Sequence, residues 1–190
     1  MKVGLFFGSF NPVHVGHMII ANYMATQTDL DRLWIIVSPQ NPLKPKSSLA
    51  RDHVRLHLVR LAIGDNRLLE ASDFEFKLPK PSYTIDTLTY LKEKYPNNDF
   101  VLIMGGDNIK TLHKWKNYEK ILEYYQIYVY NRPNYEPGPL ATHPSVRYFE
   151  APLMDISASY IRKCIRENHS IEYLVPEPVF EYISNSHLYK

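Results

Sequence analysis

Short apolar runs alternate with stretches of helical periodicity along most of the chain, and this alternation limits the possible folds more than any other feature. The runs that predict strands are KVGLFF, LWIIVS, RLLEAS, FVLIMGG, QIYVYN and VRYFE. Between them, stretches such as HMIIANYMAT and SYTIDTLTYLKEKY place apolar residues at helical spacing. We therefore predict a Rossmann-like, doubly wound α/β fold with a mainly parallel sheet and helices on both faces.

The length of 190 residues suits one domain, and no internal repeat or linker marks a second. We expect a single domain over residues 1–190. Further helices are predicted from about Leu49 to Ile63 and from about Asn117 to Tyr124. From about residue 156 to residue 190, two helices broken at VPEPV form a small C-terminal helical part.

Composition excludes several classes of function. The net charge of +2, with acidic and basic residues interleaved, offers no basic field for nucleic acid or an anionic membrane. The only cysteine is Cys164, and no signal-length apolar segment follows Met1, so a reducing cytoplasm is the expected location. The oligomeric state stays open, a homo-oligomer included.

The stretch from Val3 to Thr28 contains no Lys, Arg, Asp or Glu. Its scattered polar residues argue against a transmembrane span. Nothing in it would repel a phosphate brought close to the chain.

Within this stretch, His14 and His17 follow a glycine-marked turn after the first strand. Gly8 and Gly16 leave room for a ligand, and a helix N-terminus attracts anions through its free N–H groups and its dipole. If the helix begins near Val13, both histidines lie on its first turn and can donate to one phosphate. The alternative is that Asn11 or His14 caps the helix and His17 packs on the sheet.

The motif GSFNPVHVGH resembles the G-x-F-x-P-x-H-x-G-H signature of the nucleotidyltransferase superfamily. Near the other end, ISASYIRKCIR could by itself be an ordinary capped amphipathic helix, but it resembles the superfamily element that binds the β- and γ-phosphates of a nucleotide. The resemblance implies catalytic roles for His14, His17 and Arg162. It also implies that ATP or its phosphates are bound by Gly8, Ser9, Phe10, Gly16, Lys44, Gly105, Asp107, Ser157 and Ser159.

The segments PSYTIDTL and GGDNIKTLHKWKNYEKIL resemble one branch of the superfamily, the nicotinate-nucleotide adenylyltransferases. This resemblance implies that Thr84, Trp115 and Tyr118 bind nicotinate mononucleotide, with Trp115 stacking on the pyridine ring. For Trp115 the alternative is core packing at a helix end. Whether Lys44 or Lys46 reaches phosphate, and what the loop Pro133–Pro144 does, the sequence leaves open.

The implied reaction transfers AMP from ATP to nicotinate mononucleotide and yields nicotinate adenine dinucleotide and pyrophosphate, a step in NAD biosynthesis. Mg²⁺ is expected to be held mainly by nucleotide phosphates and water, without a metal site of protein ligands. The alternatives are phosphopantetheine adenylyltransferase, another nucleotidyltransferase such as a cytidylyltransferase, and a nucleotide sensor without catalysis. The degree of preference for nicotinate over nicotinamide mononucleotide stays open.

Overall fold

The computed structural model describes residues 1–39, 49–80, 82–130, 138–140, 142–152 and 154–190. Six strands form one sheet in the order β3-β2-β1-β4-β5-β6, and every pair of neighbours is parallel. The predicted doubly wound α/β fold is therefore confirmed.

The elements follow one another in the alternating order that the sequence predicts. The strands are β1 (Lys2–Gly8), β2 (Arg32–Val37), β3 (Leu69–Ser72), β4 (Asp99–Gly105), β5 (Gln126–Tyr130) and β6 (Val146–Phe149). The helices are α1 (Val15–Gln27), α2 (Asp52–Ile63), α3 (Thr84–Lys94), α4 (Gly106–Thr111), α5 (Tyr118–Tyr124), α6 (Ala158–Arg166) and α7 (Glu177–Ser184). In the described part of the chain, 3₁₀ turns lie at Phe74–Lys77 and Leu112–Lys114.

The start of α1 differs from the prediction. The helix begins at Val15 and not near Val13, because His14 has extended backbone angles (φ −141°, ψ 170°) and occupies the N-cap position. Its carbonyl oxygen accepts the first bonds of the helix, from the N–H groups of His17 and Met18. The short helix α4 was not predicted, since six residues are too few to show helical periodicity.

The hydrophobic core has two layers, one on each face of the sheet. One layer packs Phe6, Leu33 and Ile35 under helices α1, α2, α6 and α7. The other packs Leu5, Trp34 and Ile36 under α3 and α5. Successive residues of a strand therefore face opposite layers, as expected for a parallel sheet that is buried on both sides. Within the described ranges, no helix has both the length and the hydrophobicity needed to cross a membrane.

The strand order reverses between β1 and β4, which pair in the middle of the sheet. The carboxyl ends of these two strands, at Gly8 and Gly105, therefore border the crevice in which ligands bind in such sheets.

A fully buried arginine, Arg55 of α2, holds this edge of the sheet together. Its guanidinium donates to the carbonyl oxygens of Ser9 and Ser38, which follow β1 and β2. Three further acceptors complete its shell: the carbonyl oxygens of Pro39 (3.4 Å) and Ala50 (3.0 Å) and the carboxylate of Asp52 (2.8 Å). The loops after β1 and β2 are thereby tied to one side chain.

We predict that Arg55→Met lowers the free energy of unfolding by about 3–5 kcal/mol, because it leaves buried carbonyl groups without a donor. Urea denaturation measures the change. The matched control is Arg60→Met, which changes an exposed arginine in the last turn of the same helix and should stay within about 0.5 kcal/mol of the parent. Equal effects of the two substitutions would contradict the role assigned to Arg55.

Candidate active site

The loop between β1 and α1 is shaped by Phe10. This residue has a φ of 44°, in the left-handed region, and its side chain is only 2% exposed. Its ring lies so close to Gly8 that a Cβ atom there would come within 2.7 Å of Phe10 Cζ. Gly8 is therefore required for the loop to fold back over the end of β1. The ring also contacts His17, with the centroids 5.0 Å apart.

The two histidines form a stacked pair at the start of α1. Their ring centroids are 3.6 Å apart and the planes are inclined by 25°. Nδ1 of His17 accepts a hydrogen bond from the backbone N–H of His14 at 3.2 Å. The neutral ring of His17 must then carry its proton on Nε2. Backbone geometry thus prepares His17 as a donor.

His14 is the buried member of the pair, 6% exposed. Its Nδ1 is buried and has no hydrogen-bond partner among the residues that the structure describes. Burial lowers the pKa of His14 from 6.5 to about 4, so the ring is neutral at pH 7 when no anion is bound. Gly16 leaves the space for this ring, because a Cβ atom at position 16 would lie 3.1 Å from His14 Nδ1.

Arg162 brings the far end of the chain to the same loop. Its Nη1 donates to the carbonyl oxygen of Asn11 at 2.7 Å, and its Nη2 donates to Ser159 Oγ at 3.2 Å. The Ser157 hydroxyl caps α6 by accepting from the N–H of Tyr160 at 3.2 Å. The sequence allowed an ordinary capped helix here, and the structure shows such a helix with Ser157 as its cap. Arg162 is thus held beside the loop between β1 and α1 (residues 9–14, called the histidine loop) by residues at both ends of the chain.

A cavity of about 400 Å³ opens next to this loop. Gly8 and Ser9 form one wall, and Thr84 and Trp115 also line it. The structure therefore places residues predicted to bind phosphate and residues predicted to bind the pyridine ring around one space. Their individual roles stay predictions.

Trp115 is half-buried, and part of its surface packs against the core beneath α3 and α5. The neighbouring Lys116 makes an ion pair with Asp86 of α3 at 2.9 Å, and its ammonium lies 4.8 Å from the ring centre of Tyr83. These contacts connect the Trp115 segment to the start of α3. Core packing, the alternative for Trp115, thus applies to part of its surface, while its stacking on a pyridine ring stays a prediction.

The two histidines, Arg162 and several other predicted residues do not line this cavity. Tyr118 does not line it, and its backbone N–H donates to the carbonyl oxygen of Trp115 at 3.3 Å. Gly105 ends β4 beside the ring of Tyr130, and Asp107 is exposed in the first turn of α4. Lys44 and Lys46, and residues 133–137 and 141 of the proline-rich loop, lie outside the described residues.

Sequence reasoning missed two buried charged residues near the site, Arg55 and Glu75. A signal for Arg55 exists, because it shares one face of α2 with Leu58, Val59 and Ala62. A charge on an apolar face must find buried partners. Glu75 lies between two phenylalanines in a short 3₁₀ turn, where no periodicity indicates burial.

A second cavity, of about 500 Å³, lies at the amino ends of β1, β4 and β5. It is lined by none of the predicted site residues, and its Lys2 and Lys92 are hydrogen-bonded to neighbouring groups. Ligands of parallel α/β sheets bind at the opposite, carboxyl ends of the strands. We therefore place the candidate site at the histidine loop.

The depressed pKa of His14 predicts a specific loss of stability in acid. Between pH 6.5 and about 4 the unfolded chain binds a proton at His14 that the folded chain does not, so the free energy of unfolding falls as the pH falls. The slope from this group approaches about 1.4 kcal/mol per pH unit. Urea denaturation between pH 7 and pH 4.5 should show a smaller slope of the unfolding free energy against pH for His14→Gln than for the parent.

The control is His53→Gln, at an exposed position of α2, which should keep the slope of the parent. Equal slopes for all three proteins would refute the prediction.

Comparison with known proteins identifies the family and supports the fold. A model of the cytidylyltransferase-like family matches residues 5–164. A protein of Flavobacterium johnsoniae named probable nicotinate-nucleotide adenylyltransferase is 54% identical over 192 residues, covering 100% of both chains. A protein of the same name from Cytophaga hutchinsonii is 53% identical over 100% of this chain and 98% of its own. Among solved structures, a Plasmodium falciparum nicotinic acid mononucleotide adenylyltransferase complexed with NaAD shares the fold, with a TM-score of 0.82 at 20% identity over 99% of this chain and 97% of that chain. The chain therefore belongs to the cytidylyltransferase-like family, within which it groups with the nicotinate-nucleotide adenylyltransferases.

Proposed function

We infer that this protein transfers AMP from ATP to nicotinate mononucleotide and releases pyrophosphate. The observation that carries this conclusion is the cavity that joins the histidine loop, at Gly8 and Ser9, to Thr84 and Trp115. The relatives that share about half of their residues with the chain over its full length carry the name of this activity.

In the reaction, a phosphate oxygen of nicotinate mononucleotide attacks the α-phosphorus of ATP in line. One P–O bond forms, the bond between the α-phosphorus and the bridging oxygen breaks, and the electron pair leaves with pyrophosphate. The nucleophile is already an anion, so the protein needs neither a general base nor a covalent intermediate. Its task is to hold two polyanions in line and to stabilise the charge that moves to the leaving oxygens.

Three side chains at the histidine loop suit that task. His17 presents its Nε2–H as a donor because its Nδ1 is occupied by the backbone N–H of His14. His14 is neutral at pH 7 when no anion is bound, and a bound phosphate would raise its pKa and draw a proton onto it. Arg162 supplies a permanent positive charge for the leaving pyrophosphate. No acidic residue lies in the first turn of α1, so nothing there repels the phosphates.

The other end of the cavity suits a flat ring that carries a carboxylate. Trp115 provides the aromatic surface, and α3 begins at Thr84 with its N–H groups at the positive end of the helix. The only acidic residue of its first turn, Asp86, is paired with Lys116. The N–H groups at the start of α3 therefore favour a nicotinate carboxylate over a neutral amide.

We propose that Mg²⁺ is held mainly by the triphosphate oxygens and water. Within the described part of the chain, no three histidine, cysteine or carboxylate side chains gather where they could hold a metal ion. The donor set at the loop consists of imidazole N–H, guanidinium and backbone N–H groups, which suits phosphate oxygens better than a cation. When bound, the ion would neutralise part of the charge on the leaving pyrophosphate.

The first test is pyrophosphate release from ATP and Mg²⁺ with different acceptors in separate reactions. We expect turnover with nicotinate mononucleotide, slower turnover with nicotinamide mononucleotide, and none with phosphopantetheine, which has no ring to stack on Trp115. Turnover with phosphopantetheine alone would overturn the acceptor assignment and leave the phosphate site standing. Binding of ATP without pyrophosphate release from any acceptor would favour a nucleotide sensor.

The second test removes the donor of His17. We predict that His17→Ala lowers kcat by about a hundredfold to a thousandfold, because a donor that acts mainly in the transition state is lost. The melting temperature should change little, since the His17 side chain is only partly buried. The matched control is His53→Ala, an exposed histidine of α2, which should retain the activity of the parent. A His17→Ala enzyme within a few-fold of the parent would remove His17 from the mechanism.

A further inference from the structure

Glu75 is a buried carboxylate that the proposed reaction does not use. It lies in the 3₁₀ turn between β3 and α3 and is only 3% exposed, yet it lines the same cavity as Trp115 and Thr84. A carboxylate in such a position costs free energy unless donors surround it. Its partners therefore show what it holds in place.

Hydroxyl groups from three separate segments lie beside Glu75. Thr87 Oγ1 of α3 donates to Glu75 Oε1 at 2.8 Å. The hydroxyls of Ser38, after β2, and of Ser82, before α3, are near enough to favour the charged form of this carboxylate, and both residues line the same cavity. Burial raises the pKa of Glu75, and these three hydroxyls oppose that rise by stabilising the charged form. One side chain thus connects the end of a central strand to both sides of the start of α3.

The Thr87 hydroxyl is closer to Glu75 than to the backbone of its own helix. It also lies 3.3 Å from the carbonyl oxygen of Tyr83, but a single proton favours the shorter contact with Glu75. Thr87 is completely buried, so water offers no substitute for this bond. Loss of the carboxylate would leave the hydroxyl without its main partner.

The segment held by Glu75 forms the pyridine end of the cavity. Ser82, Tyr83 and Thr84 all line the space beside Trp115. Tyr83 is the N-cap of α3 and makes no side-chain capping bond, so its own side chain does not fix where the helix begins. Glu75 thus faces residues on both sides of this helix start, with Thr87 as its hydrogen-bond donor within the helix and Ser82 beside it before the helix.

We infer that Glu75 is a positioning residue that sets the start of α3 against the end of β2, and thereby aligns the surface that receives the pyridine ring and its carboxylate. This inference rests on the proposed function. Arg55 holds the same residue, Ser38, through its carbonyl oxygen at 2.8 Å. Ser38 is therefore the junction between the phosphate end of the site and its pyridine end.

The test compares the two substrates of the same enzyme. Glu75→Ala should raise the KM for nicotinate mononucleotide about tenfold, the effect of losing one buried bond to a charged group, with the KM for ATP within about twofold of the parent. Glu75→Gln keeps an acceptor oxygen and should recover most of the loss. Quenching of tryptophan fluorescence by nicotinate mononucleotide measures binding without turnover, because Trp115 lies in the cavity and Trp34 is buried in the core.

A pair of variants on α3 keeps the test valid if Glu75→Ala folds poorly. Thr87→Val removes the donor at nearly constant shape and should reproduce the rise in KM, whereas Thr87→Ser retains the hydroxyl and should not. Thr89→Val is the control, since the Thr89 hydroxyl bonds only the carbonyl oxygen of Ile85 in its own helix, at 2.9 Å.

The outcomes separate the two claims. Equal rises in both KM values, or a lower melting temperature with both KM values unchanged, would give Glu75 a merely structural role and overturn the inference. A parent enzyme that neither binds nor uses nicotinate mononucleotide would overturn the proposed function, and the pyridine assignment with it.

Discussion

The site depends first on the buried guanidinium of Arg55. This guanidinium donates the hydrogen bonds that water would otherwise give to the carbonyl groups of Ser9 and Ser38, at the ends of two central strands. The Arg55 side chain is fully buried. A buried charge of this kind is tolerated only when all of its donors are used. The loops that follow these strands therefore have little freedom to move apart. The histidine loop begins at Ser9, and Ser38 lies beside Glu75. The positions of both ends of the cavity therefore depend on Arg55.

A nearly neutral chain can bind polyanions because charge is distributed unevenly at the site. The start of α1 has no acidic residue, and Arg162 stands beside the loop with its Nη1 bonded to a backbone oxygen and not to a carboxylate. The carboxylates near the cavity have local partners: Asp86 has Lys116, and Glu75 has three hydroxyls. The start of α1, with Arg162 beside it, therefore favours phosphate even though the net charge is only +2.

Sequence patterns predicted the fold well because each pattern was long enough to be specific. All six apolar runs form strands, and helices lie between most of them, as predicted. Prediction failed where few residues carried the signal, as in the six residues of α4 and in the first turn of α1. The start of α1 depends on a contact with a distant segment, since the N–H of Val15 donates to the carbonyl oxygen of Leu174 at 3.1 Å. Local spacing contains no information about that bond.

The motif residues could be identified from the sequence, but the contacts that they make with one another could not. The sequence by itself determined the alternation of strands and helices, the absence of acidic residues around the histidines, and the presence, at opposite ends of the chain, of two motifs that resemble phosphate-binding elements. Only the tertiary structure decided that Arg162 bonds Asn11, that the imidazoles stack, and that Arg55 and Glu75 meet at Ser38. The physical reason is that periodicity records which face of an element is apolar, whereas the partner of a buried polar group is chosen by packing between elements that are far apart in the chain.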